Sequence, residues 1–137
     1  MKLTRTQKRE AAFLLLYQKS QNDDTVEEII QANIEEFDLQ TDITVTATVM
    51  AVLDYAEKAD EIINRFSKTR KVERIAKVSV AIMRLALYEM NCIDEDDVPD
   101  KTAINEAVEL SKKYAGEKDR KFINGLLGSY YREKHEQ

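Results

Sequence analysis

The sequence predicts an all-α protein, and three observations support this fold class. The 137 residues include only three glycines and one proline, so turn formers for a sheet are scarce. Ala, Leu, Glu and Lys are abundant, and all four favour helices. Apolar residues recur at three- and four-residue spacing along most of the chain. The length suits one domain, and we expect residues 1–137 to form a single one.

The first predicted helix begins near Thr4 or Thr6 and ends near Ser20, before the polar stretch QNDD. One stripe of this helix holds residues at four-residue spacing, with Lys8 beside it: Arg5, Arg9, Phe13 and Tyr17. Arginine binds phosphate through a planar fork, and aromatic rings stack on unpaired bases, so this stripe suits single-stranded RNA. The alternative is that both rings belong to the core and that the arginines are merely exposed.

Two more helices are predicted before residue 68. Asp24 or Thr25 caps the second helix, because Glu27 and Glu28 follow at the spacing of a capping box. The third follows LQTD and extends to about Ser67, although the β-branched run ITVTATV leaves a strand at 43–49 as an alternative start. We interpret the acidic faces of both helices as solvent surface, because they lack a partner residue for acid–base catalysis.

Residues 72–91, VERIAKVSVAIMRLALYEMN, are apolar almost all round and predict a central buried helix. The polar exceptions share a narrow stripe, which consists of Glu73, Lys77, Arg84 and Tyr88. This stripe either faces a partner or forms a simple exposed edge.

Two final helices follow the loop CIDEDDVPDK, which contains the only proline. Asp100 or Thr102 is expected to cap the first of them, Gly116 to end it, and Asp119 to cap the second. A glycine inside a helix costs roughly 1 kcal/mol relative to alanine. Gly125 and Gly128 therefore predict a close backbone approach, to another helix as the first choice or to a ligand.

Charge is strongly segregated along the chain, although the net charge is only -5. Residues 1–20, 65–90 and 111–137 are basic, whereas residues 21–64 and 91–110 are acidic. Charges act mainly within a Debye length of about 8–10 Å, so an acidic total does not exclude RNA binding. Convergence of the basic segments would create an RNA-binding surface, and solvated helix faces are the alternative.

Other protein classes find little support in the sequence. Cys92 and His135 are the only residues of their types, so neither a disulfide nor a Cys/His metal cluster is expected. No apolar run approaches the ~20 residues of a membrane span, and the N-terminal apolar stretch is too short for a signal peptide. The motifs GxSxG, HExxH, CxxC and the phosphate-binding loop are absent. We expect a cytoplasmic binding protein without a cofactor or catalytic activity.

Three stretches resemble the NusB family of bacterial transcription antitermination factors: TRTQKREAAFLLLY, VERIAKVSVAIMRLALYEM and DVPDKTAINEAVELSKKYAGEKDRKFINGLLGSY. The family runs R-x-A-x-Y-E, I-N-E-A-V-E-L and K-F-x-N-G-x-L stand at residues 84–89, 104–110 and 121–127. The resemblance covers the whole chain, although residues 21–65 match only in helical character. It implies about seven helices in two small packed bundles, without known enzymatic activity.

The resemblance also implies a function. Proteins of this family bind the boxA element of ribosomal and phage leader RNA together with NusE, a ribosomal small-subunit protein. They seed an antitermination complex on RNA polymerase with other Nus factors, which supports ribosomal RNA transcription. The implied RNA contacts are Lys2, Arg5, Lys8, Arg9, Lys118, Arg120, Lys121 and Phe122. The implied NusE contacts are Glu73, Ser79, Arg84 and Tyr88.

Three positions depart from the family pattern. Thr6 and Gln7 intervene where the family often has consecutive arginines, which predicts weaker phosphate binding. Ser79 stands where relatives can carry an acidic residue, so a partner contact at this position is not expected to depend on a charged side chain. Lys118 stands where some relatives carry an acidic residue, which favours RNA.

The sequence is compatible with three rival interpretations. A helical adaptor would use the stripe with Arg84 and Tyr88 without touching RNA. An RNA-modifying enzyme or its subunit is a second rival, because NusB-like domains also occur ahead of RNA methyltransferase domains; we expect catalysis to need a separate protein. Self-association into a homodimer that masks the basic surface is the third.

Overall fold

The structure is a computed structural model and describes residues 2–136. These residues form six α-helices and one short 3-10 turn without a strand, which confirms the predicted all-α class. The elements are α1 Arg5–Lys19, α2 Val26–Phe37, α3 Ile43–Phe66, the turn Val72–Arg74, α4 Lys77–Cys92, α5 Asp100–Tyr114 and α6 Glu117–His135. Among the described helices, none combines the length and apolar character that crossing a bilayer requires.

The chain divides into two compact units, in agreement with two small bundles. Unit 1 extends to Asp54 and contains α1, α2 and the first half of α3. Unit 2 begins at Tyr55 and contains the second half of α3 and all later elements. The expectation of one domain over the whole chain stays a prediction.

In unit 1, α1 packs against α2, and both helices begin with a capping box. Thr4 Oγ1 accepts the Gln7 amide at 3.1 Å, while the Gln7 side chain accepts the Thr4 amide at 2.8 Å. Thr25 and Glu28 repeat this arrangement at the start of α2. Both predicted helix starts are therefore confirmed, since each reciprocal pair satisfies two backbone donors.

The start of α3 is helical, so the alternative of a strand at 43–49 is wrong. Asp42 caps the helix by accepting the amides of Thr44 at 2.9 Å and Val45 at 3.1 Å. Val45 and Val49 are at most 1% exposed, one helical turn apart. Burial at helical spacing thus outweighs the weak helix propensity of the β-branched side chains.

Unit 2 contains the central buried helix that the sequence predicts. Ten of the sixteen residues of α4 are buried, and α4, α5 and α6 pack against one another. The predicted start at residue 72 is wrong, because a 3-10 turn and two extended residues, Ile75 and Ala76, precede the helix. The Asn64 side chain accepts the Val72 amide at 2.7 Å and holds this turn beside the end of α3.

The predicted caps of α5 and α6 are also wrong. Pro99 precedes α5, and the Glu95 carboxylate accepts the Asp100 amide at 3.2 Å. The side chain of Asp100 is therefore not needed as a cap. Gly116 precedes α6, and Asp119 lies within the first turn of the helix. There its negative charge interacts favourably with the positive end of the helix dipole.

The glycines of α6 do not lie in a close helix contact. A methyl group built on Gly125 would meet no described atom within 4 Å, and one on Gly128 would meet only the end of the Arg132 side chain at 3.5 Å. Helix packing is thus the wrong explanation for these glycines. The buried side of α6 consists of Ile123, Leu126 and Leu127.

Candidate nucleic-acid interface

The N-terminal end of α1 presents basic residues in unit 1. Lys2 and Arg5 are exposed, and the first turn of α1 contains no acidic residue. Lys8 is half-buried, with its Nζ atom 3.5 Å from Asp42 Oδ2, the carboxylate that caps α3. Lys8 is therefore partly neutralised, and its position is tied to the start of another helix.

Arg9 departs from the predicted arrangement, because it is only 7% exposed and already interacts within the chain. It lies on the same helical face as Phe13, which is fully buried. The Phe13 and Tyr17 rings stack in parallel with centroids 6.2 Å apart. The basic and aromatic stripe thus turns into the core of unit 1, and we remove Arg9 from the candidate RNA contacts.

The start of α6 presents basic residues in unit 2. Lys118 and Lys121 are exposed, and neither forms an ion pair with any residue that the structure describes. Arg120 instead pairs with Glu117, with its Nε atom 3.0 Å from Glu117 Oε2. This hydrogen bond holds the pKa of Glu117 below its usual value. These two lysines therefore stay outside any ion pair of the described residues, although the charge of Lys121 contributes to the lowered pKa of Glu117.

Phe122 lies half-buried beside these lysines, and Arg70 contacts its ring. The Arg70 guanidinium carbon lies 4.9 Å from the ring centroid, a cation–π distance. Arg70 belongs to the connection between α3 and α4 and was not among the predicted site residues. A loop has no helical periodicity, so the only signal for it was the excess of basic residues in segment 65–90.

Three of the four predicted NusE contacts have exposed or half-buried side chains in unit 2. Glu73 is exposed in the 3-10 turn. The Arg84 guanidinium donates to both carboxylate oxygens of Asp60, at 2.8 and 2.7 Å. The Tyr88 ring contacts Tyr55 edge to face with centroids 6.3 Å apart. Burial raises the pKa of Tyr88 and raises that of Tyr55 to about 12, so both phenols are neutral.

Ser79, the fourth predicted contact, does not reach the surface. Its side chain is 0% exposed, and its hydroxyl has no hydrogen-bond partner among the described atoms. The reason is that α4 is buried almost all round, so position 79 lies within the core. We remove Ser79 from the candidate partner contacts.

An ion-pair cluster joins the start of α5 to the end of α6. Asp100 is 1% exposed, and its Oδ2 atom lies 2.7 Å from Lys134 Nζ and 2.8 Å from His135 Nε2. Burial pushes the pKa of Asp100 upward, but the hydrogen bonds from Lys134 and His135 outweigh it and lower the pKa overall. His135, at the C-terminal end of α6, is therefore held against a buried carboxylate.

The same cluster could offer ligands to a metal ion, since atoms of Glu95, Asp100 and His135 lie within 4.8 Å of one another. However, the Lys134 ammonium already supplies a positive charge to Asp100. We interpret the group as an anchor for the C-terminal end of α6.

Comparison with known proteins identifies the family. A family model described as the NusB family matches residues 6–132. The chain belongs to the NusB family. A transcription antitermination protein NusB from Acetivibrio thermocellus is 44% identical over 128 residues, which cover 92% of this chain and 87% of that protein.

Solved NusB structures share the fold. NusB from T. maritima superposes with a TM-score of 0.79 at 28% identity, covering 97% of this chain and 94% of that one. A chain from the crystal structure of the antitermination factors NusB and NusE in complex with dsRNA also gives 0.79, at 26% identity. That match covers 94% of this chain and 96% of the other. Both matches confirm the NusB-like architecture.

Proposed function

We propose that this NusB family protein is a transcription antitermination factor that binds boxA-type single-stranded RNA together with NusE. In this proposal, the complex seeds antitermination on RNA polymerase with other Nus factors and supports ribosomal RNA transcription. The names of the curated relatives support the antitermination role. The similar structure of NusB with NusE and dsRNA supports the two partners. The protein would act in the cytoplasm without enzymatic activity.

One observation carries the RNA-binding part of the proposal, namely two exposed lysines at the start of α6 that form no ion pair within residues 2–136. Cations near a helix N-terminus are unfavourable by about 0.3–1 kcal/mol, so folding alone does not favour Lys118 at this place. Both lysines are free to contact phosphates. Phe122 lies next to them and provides a ring on which an unpaired base can stack.

In unit 1, the proposed RNA contacts are Lys2, Arg5 and Lys8. Arg120 is a weaker candidate in unit 2, since an RNA phosphate would have to compete with Glu117 for its guanidinium. With so few phosphate contacts, the affinity is modest and depends on salt. The slope of log affinity against log salt is about -0.7 for each phosphate neutralised on a single strand.

The proposed NusE contacts are Glu73, Arg84 and Tyr88. Asp60 holds Arg84 in place through two hydrogen bonds, so little side-chain entropy is lost when a partner binds. The exposed carboxylate of Glu73 attracts a basic group of the partner.

Fluorescence anisotropy of the full chain with labelled RNA tests the proposal. We expect a boxA-like single strand to bind more tightly than a scrambled strand or a duplex of the same length. Lys118→Ala/Lys121→Ala should weaken binding and make the salt slope less negative by about 1.4. Lys58→Ala, which removes an exposed lysine of α3, is the matched control and should bind like the wild type.

Equal affinity for all three RNAs, with no effect of the double substitution, would argue against RNA recognition and favour the protein adaptor. Light scattering of the same samples tests the homodimer, which should dissociate when RNA binds if dimerisation masks the basic surface.

A further inference from the structure

The connection between α3 and α4 is strongly basic, since residues 67–74 contain four basic residues and a single acidic one, Glu73. Residues 67–74, SKTRKVER, include four basic side chains, of which only Arg70 is half-buried: Lys68, Arg70, Lys71 and Arg74. None of the four forms an ion pair within residues 2–136. By contrast, Arg65 and Arg84, on the helices to either side, pair with Glu133 and Asp60.

Hydrogen bonds between the Ser67 and Asn64 side chains and the backbone hold this connection in place without using its basic side chains. Ser67 Oγ accepts the Arg70 amide at 3.3 Å and donates to the Arg70 carbonyl. Asn64 Oδ1 accepts the Val72 amide at 2.7 Å. The basic side chains are therefore presented by a preformed turn, so ordering the turn costs little when a ligand binds.

The contact between Arg70 and Phe122 joins this turn to the start of α6. The guanidinium carbon lies 4.9 Å from the ring centroid, and both side chains keep part of their surface exposed. Lys118 precedes Phe122 by four residues and so lies beside it on the helix surface. Two separate stretches of unit 2 thus meet at one aromatic ring, since Arg70 contacts the ring from the turn and Lys118 lies one helical turn before it on α6.

We propose that residues 67–71 form a second RNA-contacting element of unit 2, in which Arg70 and Phe122 create a stacking site for one unpaired base. Lys68 and Lys71 bind phosphates on either side of that base. The inference rests on the proposed function, because it names new contacts for the same RNA.

The chemistry favours a single-stranded nucleic acid over an acidic peptide. The carboxylates of an acidic peptide would be attracted to the lysines, but they would not stack on an aromatic ring that contacts a guanidinium group. Unpaired bases stack both on aromatic rings and on arginine guanidinium planes, and their phosphates need nearby cations. A single-stranded nucleic acid therefore accounts for both the ring and the cations, whereas an acidic peptide accounts only for the cations.

The test uses the full chain and a short boxA-like RNA with 2-aminopurine replacing single bases in turn, since stacking quenches its fluorescence. Arg70→Ala should weaken binding about tenfold, in the range for the loss of one stacked base, and should abolish quenching at one position. Arg70→Lys keeps the charge but not the plane, so quenching should be lost while the salt slope is unchanged. Lys68→Ala/Lys71→Ala should keep the quenching and make the slope less negative by about 1.4.

Lys58→Ala serves again as the control, and circular dichroism checks the fold of every variant. If Arg70→Ala lowers the melting temperature, the quenching and affinity measurements on Arg70→Lys decide the outcome. Wild-type affinity and quenching in both Arg70 variants would overturn the inference while leaving the proposed function intact. A wild-type protein that binds no RNA would overturn both. Weaker binding of a polyglutamate peptide by Arg70→Ala, with unchanged RNA binding, would assign the turn to an acidic protein partner.

Discussion

At the scale of single residues, the pairing state of each cation separates structural side chains from available ones. Arg84 and Arg120 are held by the carboxylates of Asp60 and Glu117. Lys118 and Lys121 have no such partner in the described part of the chain. Basic residues that the sequence does not distinguish therefore differ in whether a carboxylate of the chain already neutralises their charge.

This distinction explains why the candidate site was only partly predictable from the sequence. Helical spacing correctly places Arg9 on one stripe with Phe13, but it does not say which stripe faces the core. The burial of Ser79 could not be predicted for a related reason. Because α4 is apolar almost all round, its sequence pattern does not show which side faces solvent. Arg70 was missed because its position depends on a long-range contact with Phe122.

Asp100 gives a residue-scale prediction about stability. Asp100→Asn removes the charge that binds Lys134 and His135, so the free energy of unfolding should fall by about 1–3 kcal/mol at neutral pH. Urea denaturation measures this change. Asp97→Asn, an exposed position in the same loop, is the control and should change the free energy little.

The stability difference between the wild type and Asp100→Asn should depend on pH. Because folding lowers the pKa of Asp100 from 3.8, its contribution is fully present above about pH 4 and is lost as the pH falls through the folded value. The stability difference between wild type and Asp100→Asn should therefore shrink in acid. A difference that stays constant from pH 7 to pH 2 would contradict the role of the ionised carboxylate.

At the scale of elements, helix starts were predictable where a local side chain makes the cap. Thr4 and Thr25 follow this rule. The starts of α5 and α6 do not, because Glu95 is not at a capping position and Gly116 has no side chain. Sequence rules for caps therefore fail where the acceptor lies outside the local motif, as at α5, or where no side chain caps the helix, as at α6.

The cap of α1 can be tested by substitution. Thr4→Ala removes the acceptor of the Gln7 amide, so the free energy of unfolding should fall by about 1 kcal/mol. The basic residues nearby should lose order as well, which would weaken RNA binding. Thr6→Ala, two residues further along and exposed, is the matched control in a thermal unfolding series. Equal melting temperatures for the two variants would count against the capping box.

The glycines of α6 supply a second element-scale prediction. Gly125 lies inside a helix with open space around it, so Gly125→Ala should raise the free energy of unfolding by about 0.5–1 kcal/mol. Chemical denaturation of the free protein measures the effect. A lower stability would reveal a close contact at Gly125 and would restore the packing explanation.

At the scale of the whole molecule, composition and periodicity were enough to predict the all-α class. Residues 21–65, which resemble the family only in helical character, nevertheless form α2 and most of α3. The arrangement in two units could not be obtained from periodicity, because α3 is continuous across the boundary between them. The family resemblance supplied that feature instead.

We propose that RNA and NusE bind this protein cooperatively, as an extension of the proposed function. If both ligands favour the same bound state, NusE must raise RNA affinity by the same factor by which RNA raises NusE affinity. A coupling of about 1–3 kcal/mol, or about 5- to 150-fold, is typical of such linked binding.

The most direct measurement is a titration of this protein with boxA-like and scrambled RNA, each with and without purified NusE. We expect NusE to increase affinity for the boxA-like strand at least fivefold and to increase affinity for the scrambled strand much less. Equal affinity in all four mixtures would contradict it.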